Sequence, residues 1–469
     1  MKLTVWGAAE QVTGSMHLLE VGDFKILIDC GLNYEGGVDL SENELFPFHP
    51  FDINLVVLTH AHIDHSGNLP TLVKAGFEGQ ILCTYPTADL TQLLLSDSVN
   101  IFLRKQEKSR GRKKFNRRKQ QQHFTSNHPL YLHKHVNDTA DRIVPIAYQK
   151  PFKINDQISL SLTPTGHLLG AAAAHFTIKE DGEIKTIAFT GDIGRKNYPV
   201  LNDPEYLPET QYLVCESTYG GRFHDRESNL KDTLIKAIKE ACIDQPGRLI
   251  IPAFSVGRTQ SLVFSLNKIF SDGDLPPIPV FVDSPMATMA TDIYRKHHQY
   301  VSEESREFYQ KNGDEFEFEN LSYVKELKES KEISDHFEPC IIISSAGMLE
   351  GGRIQDHLYH NIQNFYATIF FIGYCAKGTL GHRLLRGDSV VNIKGRELSV
   401  FASIKKTDLL SGHGDHQDLV EYISQIPKES LRQVFLVHGE TESMNALKIS
   451  LEEKKYSVVI PKKGLVFEL

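Results

Sequence analysis

A chain of 469 residues exceeds what one hydrophobic core ordinarily sustains, and 41% hydrophobic with 24% charged residues supports two folded domains and excludes wholesale disorder. The formal net charge of -9 excludes a protein that coats nucleic acid through overall charge, leaving room only for a local basic site. The six cysteines, Cys30, Cys83, Cys215, Cys242, Cys340 and Cys375, include no CxxC pair, which fits buried thiols in a reducing compartment. The start "MKLTVWGAAEQVTGS" has no secretory pattern, and no run of about eighteen apolar residues occurs, so a cytoplasmic chain with no membrane partner is expected.

Short apolar runs rich in β-branched residues open the chain: "KLTVWG", "FKILIDCG" and "NLVVLTHAH" each read as a strand ending at a turn. The last runs into "LTHAHIDHSG", which packs His60, His62, Asp64 and His65 into six positions. A basic run follows at 104–119, "RKQEKSRGRKKFNRRK", with ten Lys or Arg and one Glu; it reads equally well as a phosphate grip and as a solvated helix or loop. "QISLSLTPTGH" and "KTIAFTGDIG" are further strands, placing His167 and Asp192 at strand ends, where sheet proteins carry their chemistry.

From about residue 213 the pattern alternates regularly: "YLVCEST", a helical "NLKDTLIKAIKEACIDQ", "RLIIPAF", a helical "TQSLVFSLNKIF", then "IPVFVDSP". That rhythm predicts parallel βαβ units, continued by "CIIISSAGM" and "ATIFFIGYCA" to about residue 394. "LLSGHGDH" and "QVFLVHGE" then bring two more polar clusters to strand ends, and no internal repeat is found. The expected organisation is a metal-binding domain over 1–212, an α/β domain inserted over 213–394, and a return to the first domain over 395–469.

An extended segment puts residues two apart on one side, so His60 and His62 can reach one ion together, while Asp64 and His65 at the following turn can face a second. Imidazole with a little carboxylate favours zinc, with manganese or iron as alternatives. His167, Asp192 and His438 are the candidates for the remaining ligands. Two ions about 3.5 to 4 Å apart can hold both the entering and the leaving oxygen of a displacement at phosphorus. A structural zinc site would draw on cysteine thiolates, which are not placed beside these residues.

At this point the residues resemble a family. His60-x-His62-x-Asp64-His65, preceded by "LIDCG" and followed by His167 and the "GDIG" of Asp192, looks like the metallo-β-lactamase superfamily. The resemblance implies an αββα sandwich with a binuclear centre: His60, His62 and His167 on one metal, Asp64 and His65 on the other, Asp192 bridging, and Asp29 orienting a ligand histidine. "ESTYGGR" with Glu216, "SGHGDHQDL" with His413 and "LVHGE" with His438 resemble the extra motifs of the β-CASP branch of nucleases, whose RNA-cleaving members carry a histidine in the last motif. "PAFSVGRTQ", "DSPMA", "SSAGMLEGGR" and "GYCAKGTLGH" also look like that branch, although His382 stands where relatives have arginine and Met16 where they often have cysteine.

The resemblance implies a zinc-dependent ribonuclease, with two Zn2+ (or Mn2+) and a bridging hydroxide, that cuts single-stranded RNA to 5′-phosphate and 3′-hydroxyl products. Endo or 5′-to-3′ exo action stays open, as does a homodimer. His413 would be the general acid, fixed by Glu216. The inserted domain would roof the metal site, with Arg258 and the "SSAGM" loop (Ser344, Ser345, Gly347, Met348) contacting phosphates. The competing expectations are a small-molecule hydrolase such as a lactonase or thioesterase, a non-catalytic scaffold, and a DNA nuclease of the same branch.

Overall fold

The computed structural model describes residues 1–34, 40–115, 129–334, 336 and 338–469, with side chains described as far as Arg104 in the helix Tyr85–Phe115. The chain divides into two compact units. One comprises Met1–Lys196, Asp203–Phe223 and His413–Leu469, and the other Asn197–Asn202 and His224–Gly412.

The first unit is a four-layer αββα sandwich. Its first sheet has the order Val466–Glu468, Lys2–Val5, His17–Val21, Phe24–Ile28, Leu55–Val57, Gln80–Cys83 and Ile143–Pro145. The second runs Val458–Val459, Gln433–Val437, Tyr212–Glu216, Glu183–Phe189, Ala172–Glu180, Ile158–Pro164 and Phe152–Lys153. Alternation along each strand divides the apolar residues between two faces. Leu19, Ile26, Ile28 and Val57 meet Leu162, Phe176, Phe189 and Val214 in the core between the sheets. Leu18, Leu27 and Val56 face outward onto Leu69 and Leu72 of the helix Leu69–Lys74. On the far side Leu213, Cys215 and Leu436 pack on Leu419 and Ile423 of the helix His416–Ser424 and on Leu447 and Leu451 of the helix Thr441–Glu453.

Strand direction fixes where the polar residues emerge. Leu55–Val57 runs parallel to Phe24–Ile28, with Ile28 opposite Val57. Tyr212–Glu216 runs parallel to both Glu183–Phe189 and Gln433–Val437, with Glu216 opposite Val437. The residues that follow these strands, Asp29, Thr59, Asp192, Ser217 and His438, therefore leave the sheets at their carboxyl edges.

The second unit is a six-stranded, all-parallel sheet in the order Leu321–Tyr323, Val280–Asp283, Cys340–Ser344, Arg248–Pro252, Ala367–Phe371 and Ser403–Lys406. This is the βαβ arrangement that the alternation from residue 213 predicts. The unit boundaries differ from the expected cuts at 212/213 and 394/395. Tyr212–Glu216 is a central strand of the first unit, and Ser403–Lys406 pairs with Ala367–Phe371 in the second. A strand belongs to the sheet that bonds it, a long-range fact that local pattern does not carry.

Among the described residues no helix is long and apolar enough to cross a membrane. All six cysteines are buried and unpaired, as expected. The basic run at 104–119 begins in the helix Tyr85–Phe115, and its side chains beyond Arg104 lie outside the described residues.

A buried ionic cluster holds the second unit together. Asp283, at the end of its strand, accepts from Arg353 Nη1 at 2.6 Å, from Ser330 Oγ at 2.6 Å and from His357 Nε2 at 2.6 Å. Burial alone would raise the Asp283 pKa, but the hydrogen bonds from His357, Ser330 and Arg353 hold it below its ordinary value. A depressed carboxyl contributes stability that is present above the unfolded pKa near about 4 and lost as pH falls through the folded value. Asp283→Ala should cost about 3–5 kcal/mol, because it strands the buried partners. Denaturant unfolding near neutral pH should show that loss, and the gap to wild type should narrow as the pH is taken below about 4; a gap within about 0.5 kcal/mol at neutral pH would mean that the cluster contributes nothing.

Candidate metal centre

The strand Leu55–Val57 delivers Leu58 and Thr59 to the sheet edge, and the chain then turns through His60 and Ala61 into the short helix Ile63–Ser66. Ser66 closes the turn by donating from Oγ to Ala61 O at 2.8 Å and from its N–H to His62 O at 2.8 Å. His60 and His65 are buried; His62 and Asp64 are half-buried. The second sheet supplies His167 after Ile158–Pro164, Asp192 after Glu183–Phe189, and His438 after Gln433–Val437.

The close approach of the two sheet edges constrains the backbone. Gly191 has φ +55°, and a Cβ there would lie 2.7 Å from Thr59 Oγ1, so the residue before Asp192 must be glycine. Asp29 and His438 are non-glycine residues in left-handed conformation, at φ +58° and +53°. Such residues cost of order 1–3 kcal/mol and persist where the surroundings over-determine them. The backbone at His438 is pinned by its N–H to Ala8 O at 2.8 Å and by Ser217 N–H to its carbonyl at 3.2 Å.

Two groups of ligand atoms result. In the first, His60 Nε2 and His167 Nε2 each lie 3.1 Å from His62 Nδ1, and they lie 3.5 and 3.4 Å from Asp192 Oδ2. In the second, His65 Nε2 lies 3.2 Å from His438 Nε2, which is 3.7 Å from Asp64 Oδ2. Asp192 faces both groups: its other oxygen, Oδ1, is 3.3 Å from His65 Nε2. Within each group the ligand atoms all lie within 4.8 Å of one another.

The donor set fits divalent cations. Three of the imidazoles, those of His65, His60 and His438, each have one nitrogen beside a supporting oxygen, while Nε2 of each lies among the candidate ligand atoms. His65 Nδ1 donates to Asp29 Oδ2 at 2.7 Å, His60 Nδ1 lies 3.2 Å from Thr59 Oγ1, and His438 Nδ1 lies 3.0 Å from Thr218 Oγ1. Asp29 in turn accepts from Thr59 N–H at 2.8 Å and from Thr59 Oγ1 at 2.9 Å, so one carboxylate steadies His65 directly and His60 through Thr59. At the focus, Asp192 Oδ1 is buried and makes no hydrogen bond of acceptable geometry among the described residues. A buried oxygen of this kind amid nitrogen lone pairs is what a metal ion satisfies.

Titration behaviour follows the same geometry. Burial, together with the charge of His65, keeps the His60 pKa well below its ordinary value, and burial lowers that of His62, so both imidazoles are neutral, the form a metal ligand requires. Burial would raise Asp64, yet His438 and His65 bring it down to about 2. Against burial, the charges of Asp192 and Asp29 raise His65 well above its ordinary value; the proton held there occupies a position that a cation can take.

Beside the two groups stands a third pair. His413 Nδ1 lies 3.2 Å from Glu216 Oε1, which also accepts from Ile193 N–H at 2.6 Å. The opposite nitrogen, Nε2, lies 3.9 Å from Asp192 Oδ2, and the ring stacks on Tyr219 at 5.9 Å. Despite burial, the Glu216 carboxylate raises the His413 pKa to about 9. With 22% of its side chain exposed, His413 remains open to solvent, unlike His60 and His65.

The remaining expected contacts lie in the second unit. Arg258 opens the helix Arg258–Ser271, donates from Nε to Leu410 O at 3.2 Å and places its guanidinium 4.7 Å from the Phe254 ring centre. Ser344 is buried, with its hydroxyl donated to Asp283 O at 2.9 Å. Ser345 Oγ pairs with Ser284 Oγ at 2.8 Å, Gly347 packs against the Phe254 backbone, and Met348 O accepts from Gly381 N–H. Sequence reasoning passed over Thr59, Thr218, Tyr219 and His17. Thr59 and Thr218 carried a signal, as hydroxyls next to His60 and two residues from Glu216.

Comparison with known proteins shows the family. Residues 10–252, more than half of the chain, match the family described as the metallo-beta-lactamase superfamily. Residues 259–384 match the Beta-Casp domain, and 397–461 the Zn-dependent metallo-hydrolase RNA specificity domain. The chain belongs to the metallo-β-lactamase superfamily, in its β-CASP branch. It is 30% identical over 448 residues to Ribonuclease TTHA0252 of Thermus thermophilus, covering 95% of each chain. It is 31% identical over 456 residues to Transcription termination factor FttA of Methanocaldococcus jannaschii, covering 94% of this chain and 67% of that one. A crystal structure of a protein of unknown function from Enterococcus faecalis V583 superposes with a TM-score of 0.56 at 14% identity, covering 100% of this chain and 99% of that one, which shows the shared fold.

Removing the Asp29 carboxylate tests the supporting shell. Asp29→Asn should weaken metal retention by about 10–100-fold, measured by chelator competition on metal-loaded protein; retention equal to wild type would remove Asp29 from the site.

Proposed function

We propose that the chain is a zinc-dependent ribonuclease that hydrolyses phosphodiester bonds of single-stranded RNA, leaving 5′-phosphate and 3′-hydroxyl ends. The observation that carries this reading is the Glu216–His413 pair set against Asp192, beside two groups of candidate ligand atoms, one of which contains that aspartate while His65 of the other lies 3.3 Å from it. A small-molecule hydrolase has no use for a second, poised histidine there. The RNA specificity domain and the ribonuclease relative support RNA as the substrate class.

In this reading His60, His62 and His167 would hold one ion and Asp64, His65 and His438 the other, with Asp192 available to both; the imidazole-rich set favours zinc over magnesium, with manganese as the alternative. Such a pair of ions, when bound, supplies an activated water at neutral pH and offsets charge developing on phosphoryl oxygens. The protein's own groups do the rest. Glu216 fixes the His413 ring, and His413, protonated at neutral pH, delivers its proton to the departing 3′ oxygen. Asp29 holds His65 in the ligand tautomer. On the second unit, Arg258 and the loop Ser345–Met348 are the proposed contacts to RNA phosphates, through guanidinium, hydroxyl and backbone N–H groups. The buried free thiols support a reducing, cytoplasmic location.

Zinc-loaded protein given single-stranded RNA labelled in turn at each end, beside the same sequence as DNA, tests the reading. RNA cut to 5′-phosphate products with DNA spared is expected, and the label pattern separates endo from exo action. Intact RNA with protein shown to hold two ions would overturn it. His413→Ala should slow cleavage by about a hundredfold or more without loss of metal; an unchanged rate would remove the general-acid assignment.

A further inference from the structure

Behind the ligand groups, between the two sheets of the first unit, lies a small cavity whose polar wall is formed by Ser15, His17, Asp29, His65, Glu216 and His438. His17 is the residue without an evident reason to be there. It sits on the strand His17–Val21 opposite Ile28, is 3% exposed, and stacks on Phe189 of the other sheet at 6.1 Å. Any apolar ring would serve that contact. A neutral imidazole carries one donor and one acceptor. Nε2 meets Ser15 Oγ at 3.3 Å, whereas Nδ1 is buried and has no hydrogen-bond partner among the described residues. Leaving it unpaired in the interior would cost about 1–3 kcal/mol.

We infer that this cavity is a binding site for an ordered water, anchored by His17 Nδ1, which braces the carboxylates of Asp29 and Glu216 behind the metal centre. The space admits about one water, and a buried water requires two to four polar partners, which this wall offers. The two carboxylates are the ones that matter: Asp29 holds His65 at 2.7 Å and Glu216 holds His413 at 3.2 Å. One water thus reaches the support of a ligand and the support of the proposed acid together. His17 also steadies Ser15, whose N–H donates to Asp64 O at 2.8 Å. His17 is therefore a positioning residue.

The inference rests on the metal-centre part of the proposed function and not on RNA, so its test is read without substrate. A high-resolution crystal structure of the zinc-loaded full chain should show a water about 2.7–3.2 Å from His17 Nδ1 and from an oxygen of Asp29 or Glu216. His17→Phe keeps the stacking ring but removes the anchor; it should fold and give up zinc to a chelator about tenfold or more readily than wild type. His17→Gln, which restores a polar anchor, should recover much of that retention. A dry cavity, or equal retention in all three proteins, would overturn the inference. Should His17→Phe fail to fold, the wild-type cavity and the Gln variant still decide. Failure of the ribonuclease reading would look different: water and zinc in place, RNA uncut.

Discussion

Everything at the site turns on the burial of the Asp192 carboxylate among imidazoles. A carboxylate removed from water is costly to leave ionised, and burial pushes its pKa up. Here the charges of His438 and His65 win, and Asp192 stays ionised well below the ordinary carboxylate range. Its two oxygens face different histidine groups, at 3.5 and 3.4 Å on one side and 3.3 Å on the other. One residue thereby faces both groups of candidate ligands.

The rest of the first unit serves that convergence. Two sheets must bring their carboxyl edges together closely enough for ligands from both to share an aspartate, which is why Gly191 has no room for a side chain against Thr59. The same closeness places Asp29 and His438 in left-handed backbone, a local cost offset by the hydrogen bonds that hold them. Thr59 links the outer nitrogen of His60 to Asp29, so ligand orientation is set from the core outward. The second unit has its own parallel sheet and its own buried ionic cluster at Asp283, neither of which uses the candidate metal ligands.

Much of this was legible in the sequence because short-range signals carried it. Ligand residues sit directly after apolar strands, and the alternation after residue 213 announces a parallel α/β unit. What escaped was long-range. The pairing of Ile28 with Val57 that puts Thr59 onto Asp29 depends on sheet register, which no local pattern encodes. The unit boundaries at 223/224 and 412/413 depend on which sheet claims Tyr212–Glu216 and Ser403–Lys406. The hairpin joining Ala172–Glu180 to Glu183–Phe189 did carry a signal, the Asp181-Gly182 turn with φ +53° and +81°, that the strand reading passed over. His17 gave none: a histidine on a strand reads as an ordinary residue until its surroundings are known.

On the proposed reading, Asp192 joins two metal-binding groups. Anomalous scattering at the zinc edge, from crystals of the full chain grown with zinc, tests it most directly. Two peaks flanking Asp192 are expected, one about 2.0–2.1 Å from nitrogens of His60, His62 and His167, the other equally close to His65 and His438. A single peak, no peak, or zinc seated on the Glu216–His413 pair would contradict it.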